Sequence, residues 1–314
     1  MKKRYILPVF IPFAGCIRRC VYCDQKAITG HTPSMILQNA KQQINEWERR
    51  RSEWDEIAFY GGTFAGLDRS VRLALYEMAR PYPVRVSTCP DSIKGDFIEE
   101  AEDNISVLEL GVQSLSDEVL RLNGRGYTAD DAISLFCALK DAKCQTAAQF
   151  MTGLYGETRG GFKESCDRIK ELEADFARIY PMLVFSGAPL AKMEFEPLEP
   201  LESLLRSAWL FIALTARNIR VIRISLPQGF GDKYGGFYHT SYGDLVKTAV
   251  VYANFLKEGV LMEGFNGYRG KLKKTGGKCA VFDFADLSRR VNDSYSFDGW
   301  FNDKRLKDFI GELL

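Results

Sequence analysis

Three cysteines lie within one short stretch, Cys16-Ile17-Arg18-Arg19-Cys20-Val21-Tyr22-Cys23. A turn-forming loop of this length can wrap one face of a small metal centre with three soft thiolate ligands. Structural zinc wants four closed ligands, and the nearest candidates, Asp24 and His31, complete no familiar finger spacing. Thiolates also favour iron–sulfur clusters, and a four-iron cube ordinarily takes four cysteines. Three would leave one iron with an open position. Such a position is where a metal centre binds substrate or cofactor, the feature that separates catalytic from structural zinc. A zinc site or an inert group of thiols is the alternative reading. The other cysteines, at positions 89, 137, 144, 166 and 279, show no pair spacing and read as small buried residues.

Further residues with chemistry follow short apolar runs. Gly61-Gly62-Thr63-Phe64 comes directly after Ile57-Ala58-Phe59-Tyr60. Paired glycines let backbone approach a ligand closely, although an ordinary turn uses them too. Gln113 ends the run Leu108-Glu109-Leu110-Gly111-Val112, where a buried amide needs a partner, from the core or from a ligand. Arg178 and Tyr180 would project from another run, either toward a substrate or into packing and ion pairs. His239 sits in the aromatic loop Gly235-Gly236-Phe237-Tyr238-His239-Thr240, which could close over a site or be purely structural. The basic stretch from Tyr268-Arg269-Gly270-Lys271-Leu272-Lys273-Lys274 to Lys278, beside Phe265, offers RNA contacts or a solvated surface.

The elements that must position these groups alternate regularly. Short β-branched or aromatic runs at 5–12, 56–60, 84–88, 107–112, 146–151 and 178–185 read as strands. Between them, segments 35–50, 69–80, 94–103, 128–142, 161–173 and 201–216 read as helices, so each returns the chain for a parallel strand. Periodicity alone does not separate a doubly wound sheet from a barrel. The unusual residues do, because they fall at the C-terminal end of one strand after another, the working mouth of a barrel. The fold class is therefore α/β, a partial six-unit (β/α) barrel. After about residue 217 the style changes, with a strand-like Val221-Ile222-Arg223-Ile224, a Gly- and Tyr-rich loop and a helix near 244–258. The organisation read here is a barrel over 1–226 and an extension over 227–314, a candidate substrate-side cap.

The spacing Cys-x3-Cys-x2-Cys, with Tyr22 before its last member, resembles the signature loop of the radical S-adenosylmethionine (SAM) superfamily. That resemblance implies a [4Fe–4S] cluster on Cys16, Cys20 and Cys23 whose free iron chelates the amino and carboxylate groups of SAM. It implies reductive cleavage of SAM to a 5′-deoxyadenosyl radical that takes a hydrogen atom from substrate. Tyr22 belongs to the same cofactor loop. Gly61, Gly62 and Thr63 then match the strand end that meets the methionine amino group. Gln113, with Glu109 and Ser114, matches a ribose contact, and Met151 to Gly153 lie beside the adenine. Arg178, Tyr180 and His239 are the candidates on the substrate side.

A narrower resemblance, over roughly residues 5–245, is to the clade of the Elongator catalytic subunit and oxygen-independent coproporphyrinogen oxidase. It rests on 10–25, Ser87-Thr88-x-Pro90-Asp91, Glu109 to Ser114, Gly124-Arg125-Gly126-Tyr127-Thr128 and Arg178-Ile179-Tyr180-Pro181. Cys89 stands where that clade commonly has arginine, and Tyr155 where it has proline. No acetyltransferase pattern follows residue 245, so only the radical half of the Elongator activity is implied. The resemblance favours transfer RNA as substrate, with a tetrapyrrole or small metabolite as the alternative. It also implies a flavodoxin- or ferredoxin-type electron donor.

Bulk composition agrees with an enzyme of this kind. The 314 residues are 46% hydrophobic and 26% charged, the balance of a globular protein, with no apolar run long enough to span a bilayer. A formal charge of +1 gives no global field toward nucleic acid or lipid, so either partner needs a local patch. Met1-Lys2-Lys3-Arg4 and the residues up to Cys16 imitate a lipoprotein signal, but Pro8 and Pro12 interrupt the apolar stretch and two more cysteines follow. A reducing, cytoplasmic setting is the expectation, with no membrane partner.

Overall fold

The structure, a computed structural model, describes residues 4–11, 15–24, 36–226, 232–258 and 284–314. His31, Cys279 and the basic stretch 268–278 lie outside the described residues. Seven strands form one parallel sheet: β1 (Ile6–Phe10), β2 (Glu56–Tyr60), β3 (Val84–Thr88), β4 (Val107–Gln113), β5 (Gln145–Thr152), β6 (Phe176–Pro181) and β8 (Arg220–Ile224). The spatial order follows the chain order without reversal. A doubly wound sheet would turn back at a switch point, so this order makes a curled partial barrel. The sheet ends at β1 on one side and β8 on the other, leaving the barrel open.

Six connecting helices lie where the alternation placed them: α1 (Ile36–Arg50), α2 (Arg69–Ala79), α3 (Gly95–Asn104), α5 (Ala129–Ala138), α6 (Arg159–Asp167) and α7 (Pro200–Ala216), while the short α4 (Asp117–Leu122) was not among the helices read from the sequence. Two differences from the sequence reading concern strands. The run at 221–224 is the seventh member of the sheet, pairing with β6. The sixth run is split, for β6 ends at Pro181, and Val184–Phe185 (β7) leaves to pair antiparallel with Lys233–Gly235 (β9). Proline carries no amide hydrogen for a ladder, which favours such an ending.

Helix α7 is buried around most of its circumference, with Leu204, Leu205, Leu210, Phe211 and Leu214 among the covered residues. A helix with apolar residues on so many sides must be covered on more than one. The sheet covers one side, and α8 (Tyr242–Glu258) and α9 (Phe284–Ser294) cover the other. Trp209 of α7 packs at 5.4 Å between centroids against both Phe297 and Trp300 of α10 (Phe297–Asn302), and α11 (Lys304–Leu313) follows. No helix among the described residues is long and apolar enough to cross a membrane.

Alternation along the strands sorts two faces. Leu7, Val9, Ile57, Phe59, Val86, Leu108, Leu110, Phe150 and Ile179 enter the helical core. The opposite face is layered. At its base Val107, Ala147, Phe176 and Ile222 form a small apolar plug. Beyond it sit charged and amide side chains, an unusual lining because parallel sheets generally bury apolar residues on both faces.

Candidate active site

The cysteine loop is clamped between two neighbours by backbone contact. Gly15, at φ 90°, lies so close to the turn after β2 that a Cβ there would strike the Thr63 carbonyl oxygen, and one on Gly66 would strike the Gly15 carbonyl. On the other flank Val21 N donates to Asn123 O at 3.4 Å, and Leu190 N donates to Val21 O at 2.8 Å. The loop folds on itself through Cys23 N to Cys20 O at 3.1 Å. Cys16 Sγ then lies 3.2 Å from Thr63 Oγ1. Burial pushes the Cys23 thiol up to about 12, with Cys20 and then Cys16 adding to it, and burial likewise raises Cys16. The structure therefore brings together the three cysteines, Thr63 and, through its preceding strand, the Gly61-Gly62 turn, in which Gly61 takes φ 98°.

The sequence reading missed the group at the centre of this site. Arg125, in the loop after α4, directs Nη1 to Cys20 Sγ at 3.0 Å and to Tyr22 Oη at 3.4 Å. Its Nη2 reaches Cys89 Sγ at 2.9 Å and Gly111 O at 2.7 Å, and Nε donates to Tyr127 Oη at 3.0 Å. Tyr127 is itself tied to Gly111 O and Val112 O at 2.7 and 2.8 Å. No ion pair joins Arg125 to a carboxylate among the described residues. The signal available in the sequence was an arginine flanked by two glycines, Gly124 and Gly126, directly after a helix. Cys89, read as a scattered core thiol, stands in this site beside Arg125, and burial raises it above the usual thiol range.

Deeper in the barrel runs a chain of buried charges. Arg85 Nε meets Glu56 Oε2 at 2.9 Å and its Nη1 meets Glu109 Oε1 at 2.6 Å. Arg178 Nη2 reaches the same Glu109 oxygen at 2.8 Å and Tyr60 Oη at 2.9 Å, while its Nη1 donates to Tyr180 Oη at 3.3 Å. Glu109 is thus a hub between two guanidiniums, with Ser87 Oγ donating to its other oxygen at 3.2 Å. Arg178 and Tyr180 do face the interior, and the ion pairing anticipated for Arg178 is present. Buried charges of this kind persist because each has a partner.

Gln113 closes β4 at φ 67°, a left-handed conformation costing a residue with a side chain roughly 1 kcal/mol. Its Oε1 accepts from Gln149 Nε2 at 3.0 Å, and its amide folds back over Gly111, where a Cβ would meet Nε2. Met151 and Tyr22 join one apolar cluster with Leu154, Met182 and Leu190. Gly153, at φ 79°, donates its N–H to Glu157 Oε2 at 2.6 Å. Burial pushes the Glu157 carboxyl up to about 7 against the pull of Arg206, 2.9 Å away. Two predicted residues are engaged in local structure: Ser114 Oγ accepts from Ser116 N, and His239 Nδ1 accepts from Ser241 N just ahead of α8.

This chain is similar to known proteins in sequence and in fold. The ribosomal protein uS12 methylthiotransferase RimO of Carboxydothermus hydrogenoformans is 26% identical over 57% of this chain and 44% of its own. The tRNA-2-methylthio-N(6)-dimethylallyladenosine synthase of Desulforamulus reducens is 27% identical over 57% of this chain and 42% of its own. The chain thus spans less than half the length of these curated relatives. In fold it is similar to Elp3 of Methanocaldococcus infernus, with a TM-score of 0.59 and 20% identity over 82% of this chain and 64% of that one. Coproporphyrinogen III oxidase (HemN) of Escherichia coli gives a TM-score of 0.54 and 20% identity over 68% of this chain and 53% of that one. The family model described as the radical SAM superfamily matches residues 10–169, taking in the cysteine loop, the Gly61-Gly62 turn and Arg125, and this chain is an enzyme of that superfamily.

Proposed function

We propose that Cys16, Cys20 and Cys23 hold the [4Fe–4S] cluster that radical SAM enzymes use, that Arg125 receives the carboxylate of SAM, and that the substrate is a transfer RNA. The donor set supports the first part. Among the described residues no three His, Cys, Asp or Glu side chains converge on a single-ion site. Three thiols spread around a loop suit a cube, in which each ligates a different iron.

The observation that carries the reading is the isolation of the Arg125 charge. A guanidinium held among two thiols and two phenols has no carboxylate counterpart among the described residues, although buried cations ordinarily pair. Its planar fork fits a carboxylate. The Gly111 carbonyl and Tyr127 hold that fork in place before any ligand arrives. When bound, the cluster and SAM supply an electron transfer and a carbon radical that abstracts hydrogen from the substrate. The chain's own part is orientation and exclusion of water: the positive-φ turn at Gly61 leads into Thr63 beside Cys16, and Glu109, Arg178 and Tyr180 line the barrel interior as a linked layer.

Transfer RNA is favoured because one of the relatives is named for a tRNA-modifying synthase, a substrate read here from likeness. The test is anaerobic reconstitution with iron and sulfide, followed by dithionite, SAM and bulk tRNA. The expected result is 5′-deoxyadenosine, released faster with tRNA, and tRNA retention that weakens steeply with salt. Formation of 5′-deoxyadenosine with no response to tRNA would leave the radical chemistry and discard the substrate.

A further inference from the structure

A cluster buried in a barrel still needs a route for its electron, and the surface nearest the proposed ligands is small and distinctive. We propose that Ile17, Arg18 and Arg19, the residues between the first two cysteines, form the docking face for a small acidic one-electron carrier protein of the flavodoxin or ferredoxin kind. This inference rests on the ligand assignment made above.

Ile17 is 69% exposed, one of few large apolar side chains in water among the described residues. A single exposed apolar residue is ordinary, but this one is flanked by guanidiniums and joined directly to Cys16. Arg18 is fixed in place while remaining 55% exposed: its Nε pairs with Asp91 at 3.3 Å, and its guanidinium lies over Gly126, where a Cβ would collide with it. Asp91 itself is largely covered, at 12% exposure. Arg19 is exposed and makes no ion pair among the described residues, while its carbonyl packs against Gly124. The face therefore carries an apolar centre, a net positive charge and a backbone pinned on both flanks.

Such a face matches an acidic partner with an apolar rim around its redox group. A carrier docked there would lie one or two residues of backbone from the Cys16 and Cys20 sulfurs. The exchange is one electron: the carrier is oxidised, the cluster is reduced, and no bond or proton moves. A phosphate backbone would leave the apolar Ile17 at the centre of the face uncovered, whereas the apolar rim of a carrier protein covers it.

The experiment follows bleaching of the cluster in the reconstituted full chain after mixing with reduced flavodoxin, and separately with dithionite. Arg19→Glu should lower the second-order rate with flavodoxin about tenfold at low ionic strength, as loss of electrostatic steering does. That gap should close near roughly 0.5 M salt, where screening acts within a few ångströms. Arg19→Lys should keep the wild-type rate, Ile17→Ala should slow flavodoxin at every salt concentration, and dithionite should reduce every variant equally. Unchanged flavodoxin rates in both Arg19→Glu and Ile17→Ala would overturn the docking face, as would weakened tRNA retention in Arg19→Glu with unaltered reduction. A wild-type chain with no dithionite-reducible cluster would overturn the ligand assignment and this face together.

Discussion

Arg125 touches Cys20 across 105 residues of chain, its Nη1 lying 3.0 Å from the sulfur. The same guanidinium reaches Cys89, so the loop after α4 ties the cysteine loop to the end of β3. One side chain thus holds both the site's geometry and its positive charge.

Replacing that side chain separates the two roles. Arg125→Lys retains a charge but loses the fork, and Arg125→Ala loses both. SAM binding to the reconstituted protein, followed by calorimetry or by its effect on the cluster's electron spin resonance, should weaken about tenfold in the first and 100-fold or more in the second, the range seen when one partner of a buried charge pair is removed. Iron content should hold. Wild-type affinity in Arg125→Ala would remove it from the SAM site.

The ligand assignment is tested by alanine at each thiol. Cys16→Ala, Cys20→Ala and Cys23→Ala should each abolish the visible absorbance of the reconstituted cluster. Cys137→Ala, on the exposed face of α5, and Cys166→Ala, on the buried face of α6, should leave it. Full absorbance in Cys20→Ala would contradict the assignment.

Gly66 offers a backbone test of how the loop is seated. A methyl there would strike the Gly15 carbonyl, and backbone cannot swing aside as a flexible side chain can. Gly66→Ala should therefore cut iron incorporation several-fold while the circular dichroism of the folded chain changes little. Normal iron content would mean that the two turns can part without cost.

Glu109 holds two guanidiniums, and its removal strands Arg178 while leaving Arg85 with Glu56 alone. Glu109→Gln keeps the shape but deletes the charge facing Arg85 and Arg178, a loss of about 3 kcal/mol for a broken buried pair. The thermal midpoint should fall by roughly 5–10 °C. Adding Arg178→Met should recover part of it, since the second change removes the stranded charge. Strict additivity of the two losses is the contrary outcome.

Glu157 predicts a pH dependence. Its folded value, about 7, stands above the ordinary carboxyl value near 4.5, so folding takes up a proton between them. The protonated form favours the fold: stability from this group is greatest below about pH 4.5, declines as pH rises toward 7, and is flat above. The full swing is about 3 kcal/mol, two and a half units at 1.36 each. Thermal midpoints of the wild type and Glu157→Gln, measured from pH 5 to 8, should converge toward one slope only above pH 7. Parallel curves throughout would show that Arg206 keeps Glu157 ionised.

What the sequence determined alone is what local spacing can encode. The three cysteines share one turn, and strands β2 and β3 appear at their read boundaries because each short β-branched run is bracketed by turn residues. The order of βα units was legible for the same reason. The C-terminal helices α9 to α11 were not, because their apolar residues have meaning only against Trp209 and the largely buried α7. Tertiary structure decided which distant charges meet. Nothing within a few residues of Arg125 marks it as the neighbour of Cys20, and nothing near Glu109 marks it as shared by Arg85 and Arg178. A buried charge takes its role from its partner, and in a barrel the partner arrives on another strand.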